Sequence, residues 1–337
     1  MPEDNQEAPE PQQQPQPHNK PLLTIPEQIE HLKSKGVTFD LCTEADAAEF
    51  LIRNNYLRTA SYRKLYEQRA DGDRAGTYIG LDFADLRDLS RIDRRLRETL
   101  LLAVADVEHF AKVGLLNRAE AECEDGHDIV KGFYAGINHT ERNRIQGTLK
   151  VRGSEGERHD AYTGDLIAHY EVESLPLWAI IEVLEFGAFL TLYKHCSERW
   201  GDSRMMQEHY VLKSVKALRN AAAHNSCIVN GFTKNAGRAP YEVNALIASS
   251  MAEAGMANTK VRRSKMKNLR IAQIVAAIWA VREFCPEDTC QARHAERFAA
   301  IKSYVDKTGV LGRANDGIVS HFDFLFKVVD MWIPTQS

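Results

Sequence analysis

From Asp82 to about Asn117, the apolar residues Leu86, Leu89, Ile92, Leu96, Leu100, Val104, Val107 and Ala111 recur at intervals of three and four. Only an α-helix puts residues with that spacing on one side, whereas a strand would need alternation. The chain must therefore hold a helix of roughly 50 Å at 1.5 Å per residue, and its apolar stripe must be covered by other elements. The remaining segments are of the same kind. Thr24-Ile25-Pro26-Glu27 reads as a helix start, with a capping threonine, an early proline and an acid three residues on; Gly36 ends that helix. Thr43-Glu44-Ala45-Asp46 opens another, running through Ala48, Leu51 and Ile52 into the aromatic stretch Tyr56…Tyr62…Tyr66. Strand signals are weak throughout, so the fold is all-α.

Within the long stripe, Asp93 and Arg97 stand at i, i+4, and Glu108 returns close to their face. Two readings fit these three residues. They form either a solvated row of ion pairs or a partly buried polar network bracing a site.

Composition sets outer bounds. The first twenty residues, MPEDNQEAPEPQQQPQPHNK, hold no large apolar side chain beyond Met1 and read as disordered. Four acids against Lys20 give this tail −3 of the net charge of −4, so the rest is close to neutral and only local patches can speak for nucleic acid. The six cysteines are scattered; Cys285 and Cys290 are close but lack a second ligand pair at zinc spacing, which reads as free thiols and no metal or other cofactor. No leader pattern or membrane-length apolar run is visible, so a cytoplasmic protein without membrane contact is expected.

Beyond the tail, the pattern divides into an N-terminal helical part (21–80), a helical core (81–235) and a C-terminal helical extension (236–337). Residues 118–165 read as loops with one shorter helix. Ser174-Leu175-Pro176 starts a strongly apolar helix with Gly187 inside it, which predicts a tight helix crossing at that glycine.

The helix expected from about Met205 to Asn225 buries Val211, Val215, Leu218 and Ala222 and exposes Lys213, Ala217, Asn220 and His224. Its end, Leu218-Arg219-Asn220-Ala221-Ala222-Ala223-His224, joins a cation, an amide and an imidazole. Imidazole exchanges protons near neutral pH, and guanidinium offers a planar fork to a phosphate gaining charge. Such groups could cleave RNA without a metal. Asn220 and His224 share a face, but Arg219 lies roughly 140° round from His224 at about 100° per residue. A straight helix does not present the two side by side, so the arginine reaches round or another helix completes the site. The spacing alone is not distinctive: Arg204 and His209 repeat it, and Arg152 and His159 come near it.

Several segments in order resemble the Abi-like family of bacterial abortive-infection proteins (the AbiD/AbiF group), a branch of the HEPN superfamily of helical RNases. They are Lys20-Pro21-Leu22-Leu23-Thr24-Ile25-Pro26-Glu27-Gln28, then Asn55-Tyr56-Leu57-Arg58 with Ser61-Tyr62, then Asp93-Arg94-Arg95-Leu96-Arg97 with Val107-Glu108. Leu175-Pro176-Leu177-Trp178 with Phe186-Gly187 follows, and last comes Leu218-Arg219-Asn220-Ala221-Ala222-Ala223-His224-Asn225-Ser226. Ala60 stands where the family more often has glycine or serine, and Lys112 follows Glu108 where arginine is frequent. The cover is about residues 20–232.

The resemblance implies a HEPN-type helical bundle with N- and C-terminal helical extensions. It also implies a metal-independent endoribonuclease of phage defence, or the toxin of a toxin–antitoxin pair, with Arg219, Asn220 and His224 catalytic. One motif per chain implies a homodimer pairing the motif helices, with RNA as substrate and an antitoxin or small RNA as a further partner. Supporting roles fall to Asp93, Arg97 and Glu108. RNA contacts are expected from Lys213 and Lys216, and from Arg262, Arg263, Lys265 and Lys267 in the basic run Lys260–Arg270. Two alternatives stand beside this reading: a non-catalytic RNA-binding module, and a helical interaction protein in which Asn220 and His224 are a satisfied polar pair.

Overall fold

The computed structural model describes residues 21–232, 242–313 and 316–335. The N-terminal tail expected to be disordered lies outside them. The described residues form sixteen α-helices and no named strand; the protein is all-α. In chain order they are α1 (Ile25–Ser34), α2 (Glu44–Arg53), α3 (Tyr56–Ser61), α4 (Phe83–Ala121), α5 (Gly126–Gly136), α6 (His139–Arg152), α7 (Gly164–Tyr170) and α8 (Leu177–Val183). Then come α9 (Phe186–Arg199), α10 (Ser203–Ala223), α11 (Ala245–Glu253), α12 (Lys260–Met266), α13 (Leu269–Phe284), α14 (Ala292–Thr308), α15 (Val310–Arg313) and α16 (Asp316–Trp332).

The long amphipathic stripe is α4, 39 residues, and it is the axis of the fold. Its stripe from Leu86 to Leu115 is buried against α10, α13 and α14. Asp82 caps it, accepting the Ala84 N–H at 2.8 Å. The same carboxylate takes the Thr38 hydroxyl at 2.9 Å and the Asp40 N–H at 2.8 Å. One buried acid thus starts the axis and ties the N-terminal helices to it. The start of α1 is as expected, with the Glu27 carboxylate accepting from both N–H and hydroxyl of Thr24 at 2.7 Å. Gly36 ends the turn after it at φ +83°, a conformation costly to other residues.

Three local expectations need correction. The helix from Thr43 stops at Arg53, and Asn55 caps a new helix by accepting the Arg58 N–H at 3.1 Å. Residues 118–165 are mostly helical: α4 runs on to Ala121 and α5 and α6 follow, each capped by a side chain, Asp125 and Asn138. Gly187 is not in the middle of a helix. The backbone leaves the helical region at Leu184, and Gly187 lies in the first turn of α9. What comes close is a side chain, not a second helix backbone: a Cβ on Gly187 would stand 2.6 Å from Lys216 Nζ.

The C-terminal residues do not stand apart from the core. Every residue of α13 from Ile271 to Val281 is buried, and the helix packs on both α4 and α10. A helix apolar all round can be stable only in such a position. Each large side chain so buried contributes about 1.5–3 kcal/mol.

Candidate active site

Helix α10 begins with Asp202 accepting the Met205 N–H at 2.9 Å and ends at Ala223, with His224 as its C-cap. The next residue, Asn225, adopts φ +54°. The Ser226 N–H bonds the Ala221 carbonyl at 2.8 Å, and the Asn225 N–H bonds that of Ala222 at 3.0 Å. This is a Schellman closure, with asparagine in the left-handed position that glycine more often fills. It satisfies the last carbonyls through the backbone alone and leaves the His224 side chain exposed. Leu218 and Ala222 are buried beneath it, as the pattern predicted. Arg219 is exposed and Asn220 half-buried; the Arg219 guanidinium lies 3.4 Å from Asn220 Oδ1.

The segment after the motif is held by α4. Asp93 Oδ1 accepts the N–H groups of Ile228 and Val229, both at 2.7 Å, and Arg97 pairs with its other oxygen. The Tyr62 hydroxyl also bonds Asp93 and lies 3.7 Å from Cys227 Sγ, while Asn230 donates to the Ser61 hydroxyl at 3.3 Å. Burial pushes the Asp93 carboxyl up, opposed by the Val229 and Ile228 N–H groups and by Arg97. Of the two readings of Asp93 and Arg97, the buried network holds. Glu108 is not part of it: it pairs at 3.5 Å with Lys112, one turn along α4, and faces a different cleft.

Two open clefts flank the end of α10. One, of about 1220 Å³, is lined by Lys213, Lys216, Arg219 and Asn220 of α10, facing Glu108, Glu141 and Arg144. The other, of about 1050 Å³, reaches Ala222 and Asn225 and is walled by Arg53, Arg58, Arg87, Arg91, Arg94 and Arg97, with Asp46, Glu49 and Glu98 as its acids. Sequence reasoning missed this arginine wall. Its members come from α2, α3 and α4, and only the fold brings them beside the motif; the signal available was the recurrence of Arg87, Arg91 and Arg94 along one side of α4.

The structure separates the three Arg/His pairs. Arg204 is engaged by Glu208 at 3.0 Å and Glu283 at 2.5 Å, and His209 is buried, which drives its imidazole toward the neutral form. Arg152 donates to the Val183 carbonyl at 2.7 Å and to the Thr163 hydroxyl at 2.5 Å, and His159 pairs with Asp165 at 3.1 Å. Arg219 and His224 alone of the three pairs have both side chains exposed.

The basic run fares differently from expectation. Arg262 is buried, and its guanidinium serves the carbonyls of Met256 and Ala248 at 2.5 and 2.8 Å. Lys265 is buried too, and burial lowers its ammonium's affinity for the proton. Arg263 caps the Asn258 carbonyl at 2.6 Å. The i, i+3 spacing of Arg262 and Lys265 on a short helix turns both inward, so these two cannot serve as RNA contacts. Lys213 and Lys216 do face a cleft. Among the described residues, the fold also gathers Asp106, Cys290 and His294, which the sequence holds 184 or more residues apart from Asp106.

A family model described as Abi-like protein matches residues 49–230, more than half of the chain. The chain belongs to the Abi-like protein family. The match runs from within α2 to just past the Asp93-bound segment, so it contains the motif helix and, apart from Asp46, the named walls of both clefts, but not α13. Family membership suggests a role in abortive infection, a form of phage defence. No curated protein and no solved structure matches this Abi-like chain. Among the described residues, no helix is long and apolar enough to cross a membrane.

Proposed function

We propose that this Abi-like protein is a HEPN-type endoribonuclease that cuts RNA without a catalytic metal, in phage defence or as a toxin. The observation that carries this reading is the exposed Arg219/His224 pair at a backbone-closed helix end between two cation-rich clefts. His224 removes the proton of a ribose 2′-hydroxyl or protonates the leaving oxygen. The 2′-oxygen attacks its own phosphorus, the bond to the 5′-oxygen breaks, and that oxygen takes a proton. The products are a 2′,3′-cyclic phosphate and a 5′-hydroxyl, which restricts the substrate to RNA. Arg219 holds the phosphate as it gains charge, and Asn220 orients the guanidinium or the phosphate. The carboxylates Glu108, Glu141 and Glu185 near the motif each pair with a cation, Lys112 or Arg144, which favours an ionic wall over a metal-binding role for them.

One chain supplies one imidazole, whereas the reaction takes one proton and gives another. A homodimer that brings two α10 ends together provides both groups, and an antitoxin or small RNA would restrain it by covering the same clefts. The test is incubation of purified protein with RNA under brief exposure to excess EDTA, with end-group analysis. Cyclic-phosphate ends are expected, with no cleavage by His224→Ala. Mixing Arg219→Ala and His224→Ala subunits should restore part of the activity if the site is composite. Strict dependence on added magnesium or manganese would overturn the mechanism.

A further inference from the structure

Cys290 and His294 are one turn apart where the chain enters α14, and both are fully buried. Asp106 reaches them from α4: its Oδ2 is 3.3 Å from Cys290 Sγ and 2.8 Å from His294 Nε2. The three ligand atoms all lie within 4.8 Å of one another. Cys285, the buried C-cap of α13, is hydrogen-bonded to Cys290 but lies outside that group of three, so its thiol must swing inward to complete a tetrahedron. The turn between the cysteines is π-helical over Glu287–Gln291, a form rare enough to mark functional positions. The Gln291 amide pins it, donating to the Arg282 and Cys285 carbonyls at 2.8 and 2.9 Å.

We propose that Asp106, Cys285, Cys290 and His294 form a structural zinc site that fastens the C-terminal helices to α4. The donor set is that of zinc: two thiolates, an imidazole and a carboxylate, with no requirement for the six or more oxygens of calcium or magnesium. Zinc–ligand bonds of about 2.0–2.3 Å in a tetrahedron put neighbouring ligand atoms about 3.2–3.8 Å apart, so the observed 2.8 and 3.3 Å separations need to open only slightly. Without a metal the same groups make a poor core. Thiols are weak donors, so apart from the strong Asp106–His294 bond at 2.8 Å the two buried thiols gain little against their desolvation. Four protein ligands close the site to water, so it holds structure and does no chemistry. Binding through Nε2 leaves His294 Nδ1 protonated, so the half-exposed Arg297 guanidinium, 3.3 Å from that nitrogen in the structure, would have to turn outward when zinc binds. Asp106 lies within the Abi-like segment, while the other three ligands lie beyond it. The site therefore joins the family core to sequence that the family match does not reach.

The test uses the full chain, purified without a metal-binding tag or chelator. Elemental analysis is expected to find one equivalent of zinc. Cobalt(II) exchanged for it should give the intense visible bands of a tetrahedral site, with thiolate-to-cobalt charge transfer in the near ultraviolet. Cys290→Ala and His294→Ala should lose both metal and bands. Cys285→Ala should lower the charge-transfer intensity by about half, since one of two thiolates remains. Asp106→Asn is nearly isosteric at a partly exposed position, which guards against misfolding, and it should weaken zinc binding at least tenfold while circular dichroism is retained. Wild-type protein that neither carries zinc nor takes up zinc or cobalt on titration would overturn the assignment. So would an intact mass short by two hydrogens that maps to a Cys285–Cys290 disulfide, or a cobalt spectrum unchanged in Cys285→Ala.

Discussion

The Asp93 carboxylate accepts the backbone N–H of Val229 at 2.7 Å across 136 residues of sequence. Through this bond and its twin to Ile228, the axis helix holds the chain just after the motif. Asp93→Ala leaves two buried N–H groups and the Arg97 guanidinium without their acceptor. It should lower the unfolding free energy by about 3–5 kcal/mol, read from urea denaturation. A loss below about 1 kcal/mol would show that the segment is held by other contacts.

His224→Ala should lower RNA cleavage by at least about 10²–10⁴-fold. Stability should change by less than about 0.5 kcal/mol, because the helix end is closed by backbone hydrogen bonds and the imidazole is exposed. Single-turnover cleavage beside thermal unfolding checks both halves. An inactive but unfolded variant would point to a structural histidine, and RNA bound normally by an uncleaving wild type would point to a binding module.

Arg219→Lys should be nearly as damaging as Arg219→Ala. Lysine keeps the charge but not the planar fork that can hold Asn220 Oδ1 and a phosphate together. Cleavage of one RNA by the three proteins measures this, and a lysine variant within a few-fold of wild type would show that charge alone suffices.

The arginine wall and the basic run should respond in opposite ways. Arg53→Gln, Arg58→Gln and Arg91→Gln, combined, should weaken RNA binding and reduce the slope of log affinity against log salt by about one per cation that contacts phosphate. Arg262→Gln leaves the Met256 and Ala248 carbonyls short of a donor. It should cost about 1–3 kcal/mol of stability with the salt slope unchanged. Filter binding across a salt series, with denaturation of the same proteins, separates the two effects.

Glu124 should make the fold sensitive to acid. The Arg199 guanidinium grips its carboxylate at 2.6 and 2.7 Å, with the Trp200 indole N–H beside it, and holds its pKa down to about 2. A depressed carboxyl stabilises the fold fully above its ordinary value of 4.5 and loses that contribution as pH falls from there toward 2. Glu124→Gln should therefore cost about 1 kcal/mol at neutral pH, with the difference from wild type shrinking below pH 4.5. A pH series of denaturation midpoints tests the sign.

Much of the helical pattern was legible because its signals are local. The stripe of α4, the capping box at Thr24 and the buried face of α10 each follow from residues within a turn or two of one another. The grouping of Asp93 with Arg97 was legible for the same reason. The role of the pair was not, because its partners at Ile228 and Val229 are backbone groups that a sequence does not announce. Arg262 and Lys265 misled for the converse reason. Six cations in eleven residues look like a surface, yet the carbonyls of Ala248 in α11 and of Met256 in the turn after it drew one of them inside. The arginine wall and the Asp106–Cys290–His294 cluster were beyond reach, since each depends on which helices become neighbours.

The burial of α13 bears on how this protein can be taken apart. The family match stops at residue 230, which invites expression of a shorter piece ending there. Such a piece would bare the flanks of α4 and α10 that α13 covers, turning the wall behind the motif into an adhesive surface. The edge of a recognisable sequence is not an edge of this folded object, and residues beyond that edge pack directly on the helix that carries the motif.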